Sequence, residues 1–388
     1  MNIADRTIWQ IAGGDTDRSY VSTFLRWDVV AIGPGQFGRW PECKSEARRG
    51  NRYSARVMTC LERFYGMQAG DLVVLRLGTS SIYGVGEVVG SATLWLDDFG
   101  DIDGWDLEHV RRVKWLWKNE PQPQTFDSMT LKWGDTVQKL TSPKVFEWLS
   151  QLDLPAASAT RGLRELPKSC VNGQPGSLAK IEKVADLLFD EGIPAKSIDD
   201  LLEQIDDHVR IARWYARTKQ APSESETVAY LVVPLLRTLG WTPQRMSVEW
   251  NHVDVALFNR TPRKDQHLRA VVEVKKMNNS CLTAWSQAKD YALCPGREKC
   301  RQLIVTDGLR YAVFLREENG NDFRQQPIAY FNLTRTRDDY PILECQGAGS
   351  ALLTMAADWN GDTAFLRGPE NPAGSPFVEQ DGEEGLAK

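Results

Sequence analysis

The feature that most constrains this chain is a short, strongly β-forming segment in its C-terminal half that carries charge inside an apolar run. The segment reads Ala270-Val271-Val272-Glu273-Val274-Lys275-Lys276. Because side chains alternate across a strand, Glu273 and Lys275 share one face, and Val272 and Val274 share the other. Burying a charge is costly unless it is paired or binds a metal. The segment therefore predicts a strand that carries a charged site. An exposed ion pair is the alternative.

A second apolar segment, Val253 to Phe258, precedes the first and carries one acid, Asp254, at its start. A polar loop between the two segments predicts a long hairpin, which brings Asp254 beside Glu273. Two carboxylates bind Mg²⁺, a hard cation that prefers oxygen ligands, and Mn²⁺ is its expected substitute. Such a metal polarises a phosphate and acidifies its bound water. Lys275 would orient that water and offset developing negative charge.

Together these segments resemble the PD-(D/E)XK nuclease superfamily. They are most similar to the nuclease domain at the N-terminus of type I restriction enzyme motor subunits and to related stand-alone restriction proteins. Asp254 matches the aspartate of the PD motif, although Val253 stands where that motif has proline. Glu273-Val274-Lys275 matches the (D/E)-x-K triplet. The resemblance implies that Asp254, Glu273 and Val274 bind Mg²⁺ and that Lys275 is catalytic.

Further matches follow the triplet, so the resemblance covers residues 223–317. Gln287 and Tyr291 match the Q-x-x-x-Y element of RecB-like members, and their spacing places them on one helical face. The run from Ile304 to Gly308 matches the strand and turn after that helix. The resemblance implies that Gln287 belongs to the catalytic site.

The resemblance also implies a glutamate from the first helix of the domain. That helix begins near Ser223, and Glu224 and Glu226 are its two candidates. We favour Glu226 because it directly precedes Thr227, as in the family pattern. A helix N-cap box is the alternative for either residue. Pro234 is expected to kink the same helix, since it removes a backbone hydrogen bond.

The N-terminal region, residues 5–150, is typical of a β-rich domain. Short apolar stretches alternate with glycines, and one helix is predicted near Ser54 to Tyr65. The pieces Gly70-Asp71-Leu72-Val73-Val74 and Gly84-Val85-Gly86-Glu87-Val88 carry a resemblance to the PUA-like superfamily, which includes EVE and YTH domains. The resemblance covers about residues 5–120 and implies a small mixed β-barrel.

PUA-like domains commonly hold a modified base in an aromatic cage, in which aromatic faces stack on an extruded base. Trp27 and Trp40 flank the turn from Ile32 to Gly35 and are the favoured cage members, followed by Trp9. Phe37 and Trp95 are further candidates. The alternative for each tryptophan is a place in the barrel core.

Contact with the DNA backbone requires a local basic patch, because the net charge of the chain is −5. One candidate patch runs from Arg39 to Arg63, where basic residues outnumber acidic residues. A solvated face is the alternative for this run. The predicted DNA-binding residues are Arg48, Arg49, Arg52 and Arg56.

The predicted architecture is α+β and α/β, in four parts. Residues 1–150 form a PUA-like mixed β-barrel, and residues 151–222 form a connector with helices over 178–189 and 198–218. Residues 223–357 form the PD-(D/E)XK nuclease core, and residues 358–388 form a disordered tail rich in Gly, Pro and acids.

These observations predict a modification-dependent restriction endonuclease that reads a modified base in double-stranded DNA and acts in anti-phage defence. The alternatives are a nuclease guided by an RNA-reading or structure-reading domain, and a catalytically silent nucleic-acid-binding protein. Cutting both strands implies a homodimer on DNA, with the apolar faces of the connector helices as one possible contact. No phosphate loop is encoded, so we expect no ATP requirement.

The composition also predicts where the protein works. The N-terminus lacks the regions of a signal peptide, and no apolar run is long enough to span a bilayer. The seven cysteines are scattered, which is typical of reduced thiols, and their spacing does not favour zinc. We therefore expect a cytoplasmic protein without membrane contact.

Overall fold

The computed structural model describes residues 3, 5–15, 17–155, 162–167 and 181–359. Two compact units emerge from its internal contacts. Unit 1 comprises Met1–Gly176 with Asn278–Thr283, and unit 2 comprises Ser177–Met277 with Ala284–Lys388. Each unit is a mixed α+β structure with its own sheet. The expected disordered tail lies outside the described residues from residue 360 onward.

The sheet of unit 1 is curled into a half-barrel, with strand order β2-β6-β4-β3-β1-β8, β5 beside β6 and β7 beside β4. Strand β1 pairs in parallel with β3 and antiparallel with β8. The β-rich character expected of this region is confirmed. The strands are β1 (Ile8–Ala12), β2 (Val29–Ile32), β3 (Leu72–Leu77), β4 (Ser81–Val88), β5 (Leu94–Trp95), β6 (His109–Lys118), β7 (Gln124–Thr125) and β8 (Val137–Lys139).

Strand β4 approaches its neighbour β6 very closely at Gly86. A Cβ atom added there would lie 2.4 Å from Val113 Cγ1, so only glycine allows this pairing. The glycine-rich piece of sequence in β4 is therefore explained by packing between strands.

Four helices belong to unit 1 among the described residues, and the helix predicted from Ser54 is confirmed. Ser54 caps it, because its Oγ accepts a hydrogen bond from the Val57 N–H at 3.2 Å. The helix then buries Leu61 and Phe64. The helices are α1 (Val21–Trp27), α2 (Lys44–Arg48), α3 (Ala55–Tyr65) and α4 (Pro143–Gln151), with 3₁₀ turns at Arg49–Asn51 and Asp97–Phe99.

Unit 1 also contains a segment from the C-terminal half of the sequence, Asn278–Thr283. The buried carboxylate of Asp103 holds it. Asp103 Oδ1 accepts hydrogen bonds from the backbone N–H groups of Cys281 at 3.1 Å and Leu282 at 3.3 Å, and Oδ2 accepts one from the Ser280 hydroxyl. Nothing in the sequence pattern predicted this anchoring, because the partners are far apart along the chain.

Unit 2 is built on a second sheet, with strand order β15-β16-β14-β13-β12-β11-β10-β9. The predicted hairpin is confirmed, because β10 and β11 pair antiparallel with Val255 opposite Val272. Strand β12 lies parallel to β11. The strands are β9 (Met246–Trp250), β10 (Val253–Phe258), β11 (Leu268–Val274), β12 (Gln302–Thr306), β13 (Arg310–Leu315), β14 (Ala329–Asn332), β15 (Asp339–Tyr340) and β16 (Cys345–Gln346).

The two helices expected in a connector are part of unit 2. Their apolar faces lie in its hydrophobic core, for example Val184 and Leu201. Those faces are therefore occupied and not open for a contact between copies. The helices of unit 2 are α5 (Ile181–Asp190), α6 (Ala195–Thr218), α7 (Glu224–Thr227), α8 (Val233–Thr238), α9 (Trp285–Ala292) and α10 (Ala348–Met355), with a 3₁₀ turn at Asp265–His267. A further 3₁₀ turn lies at Leu282–Ala284.

Helix α6 begins at Ala195 rather than at Ile198, because its first turn has no apolar periodicity to reveal it. Residues 178–180 of the other predicted connector helix lie outside the described residues, as do 156–161 and 168–177 of the predicted loop.

The expected kink at Pro234 takes the form of a π-helical turn, Val228–Val232, between α7 and α8. In this turn the Val233 N–H donates to the Val228 carbonyl. Pro234 then stands in the first turn of α8.

The six cysteines in the described part of the chain carry free thiols, as expected. Within the same part, none of the helices combines the length and the apolar character that crossing a bilayer requires.

Candidate functional site

The hairpin of β10 and β11 places two carboxylates side by side at one end of the sheet of unit 2. Asp254 precedes Val255, which pairs with Val272, so Asp254 stands opposite Glu273. Asp254 Oδ2 accepts a hydrogen bond from the Val274 N–H at 2.7 Å, which fixes the carboxylate against the end of β11. The sequence prediction that the hairpin unites Asp254 and Glu273 is confirmed.

The carboxylate of Glu273 is the most strongly perturbed group of this pair. Its residue is only 2% exposed, and burial, followed by the negative charge of Asp254, raises its pKa to about 8. Burial also raises the pKa of Asp254, opposed by the Val274 hydrogen bond and by the charge of Lys275. Within the described residues Glu273 Oε2 has no hydrogen-bond partner. When both carboxyl groups are ionised, they carry two negative charges against the one positive charge of Lys275.

Lys275 links this pair of acids to helix α9. Its Nζ lies 3.5 Å from Glu273 Oε1 and donates a hydrogen bond to Gln287 Oε1 at 3.0 Å. Gln287 Nε2 in turn donates to the Tyr291 hydroxyl at 3.2 Å. The Lys275 side chain is 25% exposed, so its ammonium remains within reach of solvent. The structure thus brings together residues from β10, β11 and α9 that the sequence named separately.

Of the two candidate glutamates on the first helix of unit 2, Glu226 forms the N-cap box that was the alternative for either residue. Glu226 Oε2 accepts hydrogen bonds from the Ser223 N–H at 2.8 Å and from the Ser223 hydroxyl at 2.9 Å. The Ser223 Oγ accepts the Glu226 N–H in return, which completes a capping box. These bonds lower the pKa of Glu226. The negative charge of Glu224, by contrast, contributes to the raised pKa of Glu273. Of the two candidates, Glu226 forms the capping box and Glu224 is the one whose charge acts on Glu273.

The donor set fits a hard divalent cation, although it is small. Across the described residues no cluster of three or more His, Cys, Asp and Glu side chains is spaced to hold a metal ion. Asp254 and Glu273 supply carboxylate oxygens, one of them buried without a partner. Val274 has its side chain in the core and its N–H on Asp254, so its contribution to a metal would be its carbonyl oxygen. A cation at this place would relieve the electrostatic cost that the raised pKa values report.

The three tryptophans expected in a base-binding cage are all buried in unit 1. Trp9 is 7% exposed and Trp40 is 2% exposed. The Trp9 Nε1 donates to Asp71 Oδ2 at 2.8 Å, and Lys44 Nζ lies 5.4 Å from the Trp40 ring. These contacts are typical of structural tryptophans whose polar edge is satisfied.

Trp27 is also buried, at 4% exposed, and an arginine side chain contacts its ring. The guanidinium carbon of Arg164 lies 4.0 Å from the centroid of its ring. Arg164 was not singled out in the sequence, because no local pattern connects it with Trp27.

The turn between β2 and α2 collects polar bonds from several aromatic side chains. The Tyr53 hydroxyl donates a hydrogen bond to the Pro34 carbonyl at 2.9 Å, and His109 Nε2 forms a second hydrogen bond with that carbonyl at 3.0 Å. Trp95 Nε1 donates to the Gly35 carbonyl at 3.0 Å. A Cβ atom at Gly35 would lie 2.5 Å from Glu108 Oε2, which explains the glycine. The turn is therefore a rigid, closely packed part of unit 1.

The expected basic patch is partly neutralised. Arg52 pairs with Glu46 at 3.2 Å, and Arg56 pairs with Asp135 at 3.0 Å. Arg48 and Arg49 are exposed, and neither forms an ion pair with another described residue. The available positive charge of this surface is therefore concentrated in Arg48 and Arg49.

Comparison with known proteins gives one match. Residues 9–140, which lie within unit 1, match the family model of a domain of unknown function, DUF8426. Neither the search of curated proteins nor the search of solved structures found a match.

Proposed function

We propose that this protein is a Mg²⁺-dependent DNA endonuclease in which unit 2 cuts and unit 1 recognises a modified base. The observation that carries the proposal is the constellation of Asp254, Glu273, Lys275 and Gln287 on adjoining elements of unit 2. Its natural role would be restriction of modified phage DNA. The resemblance to PD-(D/E)XK nucleases and to PUA-like domains supports the proposal, together with the chemistry of these side chains.

The chemistry of the site suits hydrolysis of a phosphodiester. Asp254, Glu273 and the Val274 carbonyl would hold Mg²⁺, which supplies Lewis acidity and a more acidic bound water when present. The exposed ammonium of Lys275 stands beside the carboxylates, where it can orient an attacking water and stabilise negative charge on the phosphate. Gln287 accepts a hydrogen bond from Lys275 and so holds its ammonium in this position.

The test of the cutting activity pairs a site variant with its neighbour. Lys275→Ala and Asp254→Asn should each lower the cleavage rate with Mg²⁺ by at least about 100-fold, because the members of such a site act as a unit. Lys276→Ala is the matched control, since Lys276 is exposed and lies next to Lys275 in sequence. The proposal fails if Lys275→Ala cuts at the rate of Lys276→Ala.

The test of the reading activity uses matched duplexes. Unmodified DNA and DNA with N6-methyladenine, 5-methylcytosine or hydroxymethylcytosine are incubated with protein and Mg²⁺, without ATP. We expect cleavage of at least one modified duplex and little cleavage of the unmodified one. Equal cleavage of all four duplexes would remove unit 1 as a reader of modification, while leaving unit 2 as a nuclease.

We also propose that two copies meet on DNA to cut both strands. One such constellation attacks one phosphodiester, and a two-fold pair presents two antiparallel sites. Mixing the wild type with excess Glu273→Ala should therefore give nicked products. Double-strand cutting in one binding event by a chain that stays monomeric on DNA would contradict this.

A further inference from the structure

In a short stretch of unit 1, residues 162–167, Arg164 contacts the C-terminal end of helix α1. Its guanidinium carbon lies 4.0 Å from the Trp27 ring centroid. Its backbone N–H donates to Asp28 Oδ2 at 2.8 Å, and its carbonyl accepts a hydrogen bond from the Arg112 guanidinium. Arg164 thus contacts the aromatic face of Trp27, the carboxylate of Asp28 and the guanidinium of Arg112.

These three protein groups are the ones that would recognise a nucleobase with an exocyclic amine. A flipped base is read by stacking on aromatic side chains and by hydrogen bonds to its Watson–Crick edge. Trp27 offers the stacking face, and Asp28 offers an acceptor for the amine. Arg112 offers a donor for the ring nitrogen beside the amine of cytosine or adenine, or for the carbonyl of cytosine. Arg164 presents the complementary set, because it has a planar cation, one N–H donor and one carbonyl acceptor.

We propose that Trp27, Asp28 and Arg112 form the base-binding site of unit 1, and that Arg164 fills this site in the absence of DNA. An extruded cytosine or adenine derivative displaces Arg164 and stacks on Trp27. This inference rests on the proposed reading function. The contact of the Arg164 guanidinium with the ring contributes to the burial of Trp27.

The first test is Arg164→Ala, measured by fluorescence anisotropy with the four duplexes at one salt concentration. Loss of a positive charge by itself weakens DNA binding. Removal of a competitor instead tightens binding to the recognised modified duplex, on the order of fivefold, which corresponds to the roughly 1 kcal/mol of a cation–π contact. Arg210→Ala is the control: it removes the same charge from an exposed arginine of α6, and its affinity should not rise.

The second test is hydrogen exchange of the peptide that contains residues 162–167. The Arg164 N–H is bonded to Asp28 and should exchange slowly in the free protein. Modified DNA should speed its exchange, whereas ordinary contact with DNA slows exchange. In the Arg164→Ala background, Trp27→Leu should cancel the gain in affinity.

The outcomes separate this inference from the function on which it rests. Tighter binding by Arg164→Ala with faster exchange on DNA supports a displaced Arg164. If the wild type prefers modified DNA but Arg164→Ala binds no more tightly than Arg210→Ala, the inference is overturned and the reading function stands. If neither the wild type nor any variant distinguishes modified from unmodified DNA, both are overturned.

Discussion

Replacement of Glu273 by glutamine should stabilise the metal-free protein and at the same time remove its response to Mg²⁺. The reason lies in the pKa of Glu273, which rises from 4.5 to about 8 because the carboxylate is buried beside Asp254. Between these two pH values the folded chain holds a proton that the unfolded chain has released. The stability of the metal-free protein therefore falls as pH rises through this window.

The magnitude follows from the same two pKa values. Each unit of difference corresponds to about 1.4 kcal/mol, so release of this proton by the unfolded chain lowers the stability of unit 2 by on the order of 3 kcal/mol at pH 7. The residue is only 2% exposed, so solvent screens little of this cost. Glutamine has a similar shape and no charge. We therefore expect Glu273→Gln to be more stable than the wild type by several kcal/mol at pH 8, and to differ by only about 1 kcal/mol at pH 5.

The assay is hydrogen exchange of peptides from β11 in EDTA at pH 5 and pH 8, which reports the opening of unit 2 separately from unit 1. Glu203→Gln is the matched control, because Glu203 is exposed on α6. Addition of Mg²⁺ should stabilise the wild type by about 2.7 kcal/mol at 100 times its Kd and leave Glu273→Gln unchanged. A variant less stable than the wild type at pH 8 in EDTA would refute the reasoning.

Three further predictions concern other parts of the chain. Burial lowers the pKa of His109 to about 4, so unit 1 should lose about 3 kcal/mol in total as pH falls from 6.5 through 4, and His109→Gln should remove this slope in acid unfolding. Glu226→Ala should lower the melting temperature through loss of the capping box with little loss of cleavage, whereas Glu224→Gln should reduce cleavage without lowering the melting temperature. The reverse pattern in melting and nicking assays would favour Glu226 as the residue that supports cleavage. Arg48→Ala and Arg49→Ala should each weaken binding to modified and unmodified duplexes alike, and should reduce the dependence of log Kd on log salt concentration by about one unit; unchanged slopes would remove these residues from the DNA contact.

The sequence alone determined the strands of the candidate site and the side chains that they present. Alternation in the Glu273-Val274-Lys275 triplet, whose first two residues end β11, puts Glu273 and Lys275 on one face. The polar loop before β11 makes the hairpin that brings Asp254 back to Glu273. The four-residue spacing of Gln287 and Tyr291 likewise gives a shared helical face, which their hydrogen bond confirms. These features depend on backbone geometry within one or two neighbouring elements, so a local pattern is sufficient.

The tertiary structure decided which of the candidate site residues predicted from the sequence face one another and how strongly they are buried. Glu224 and Glu226 look equivalent in sequence, and only the capping box with Ser223 separates them. Trp27 is covered by Arg164, a residue distant in sequence that no period or motif connects with it. Burial and long-range pairing depend on how whole elements pack, and the alternation of one strand carries no information about that packing. For the same reason the raised pKa of Glu273, which makes this pair of acids a candidate cation site, follows from the folded unit rather than from the Glu273-Val274-Lys275 triplet.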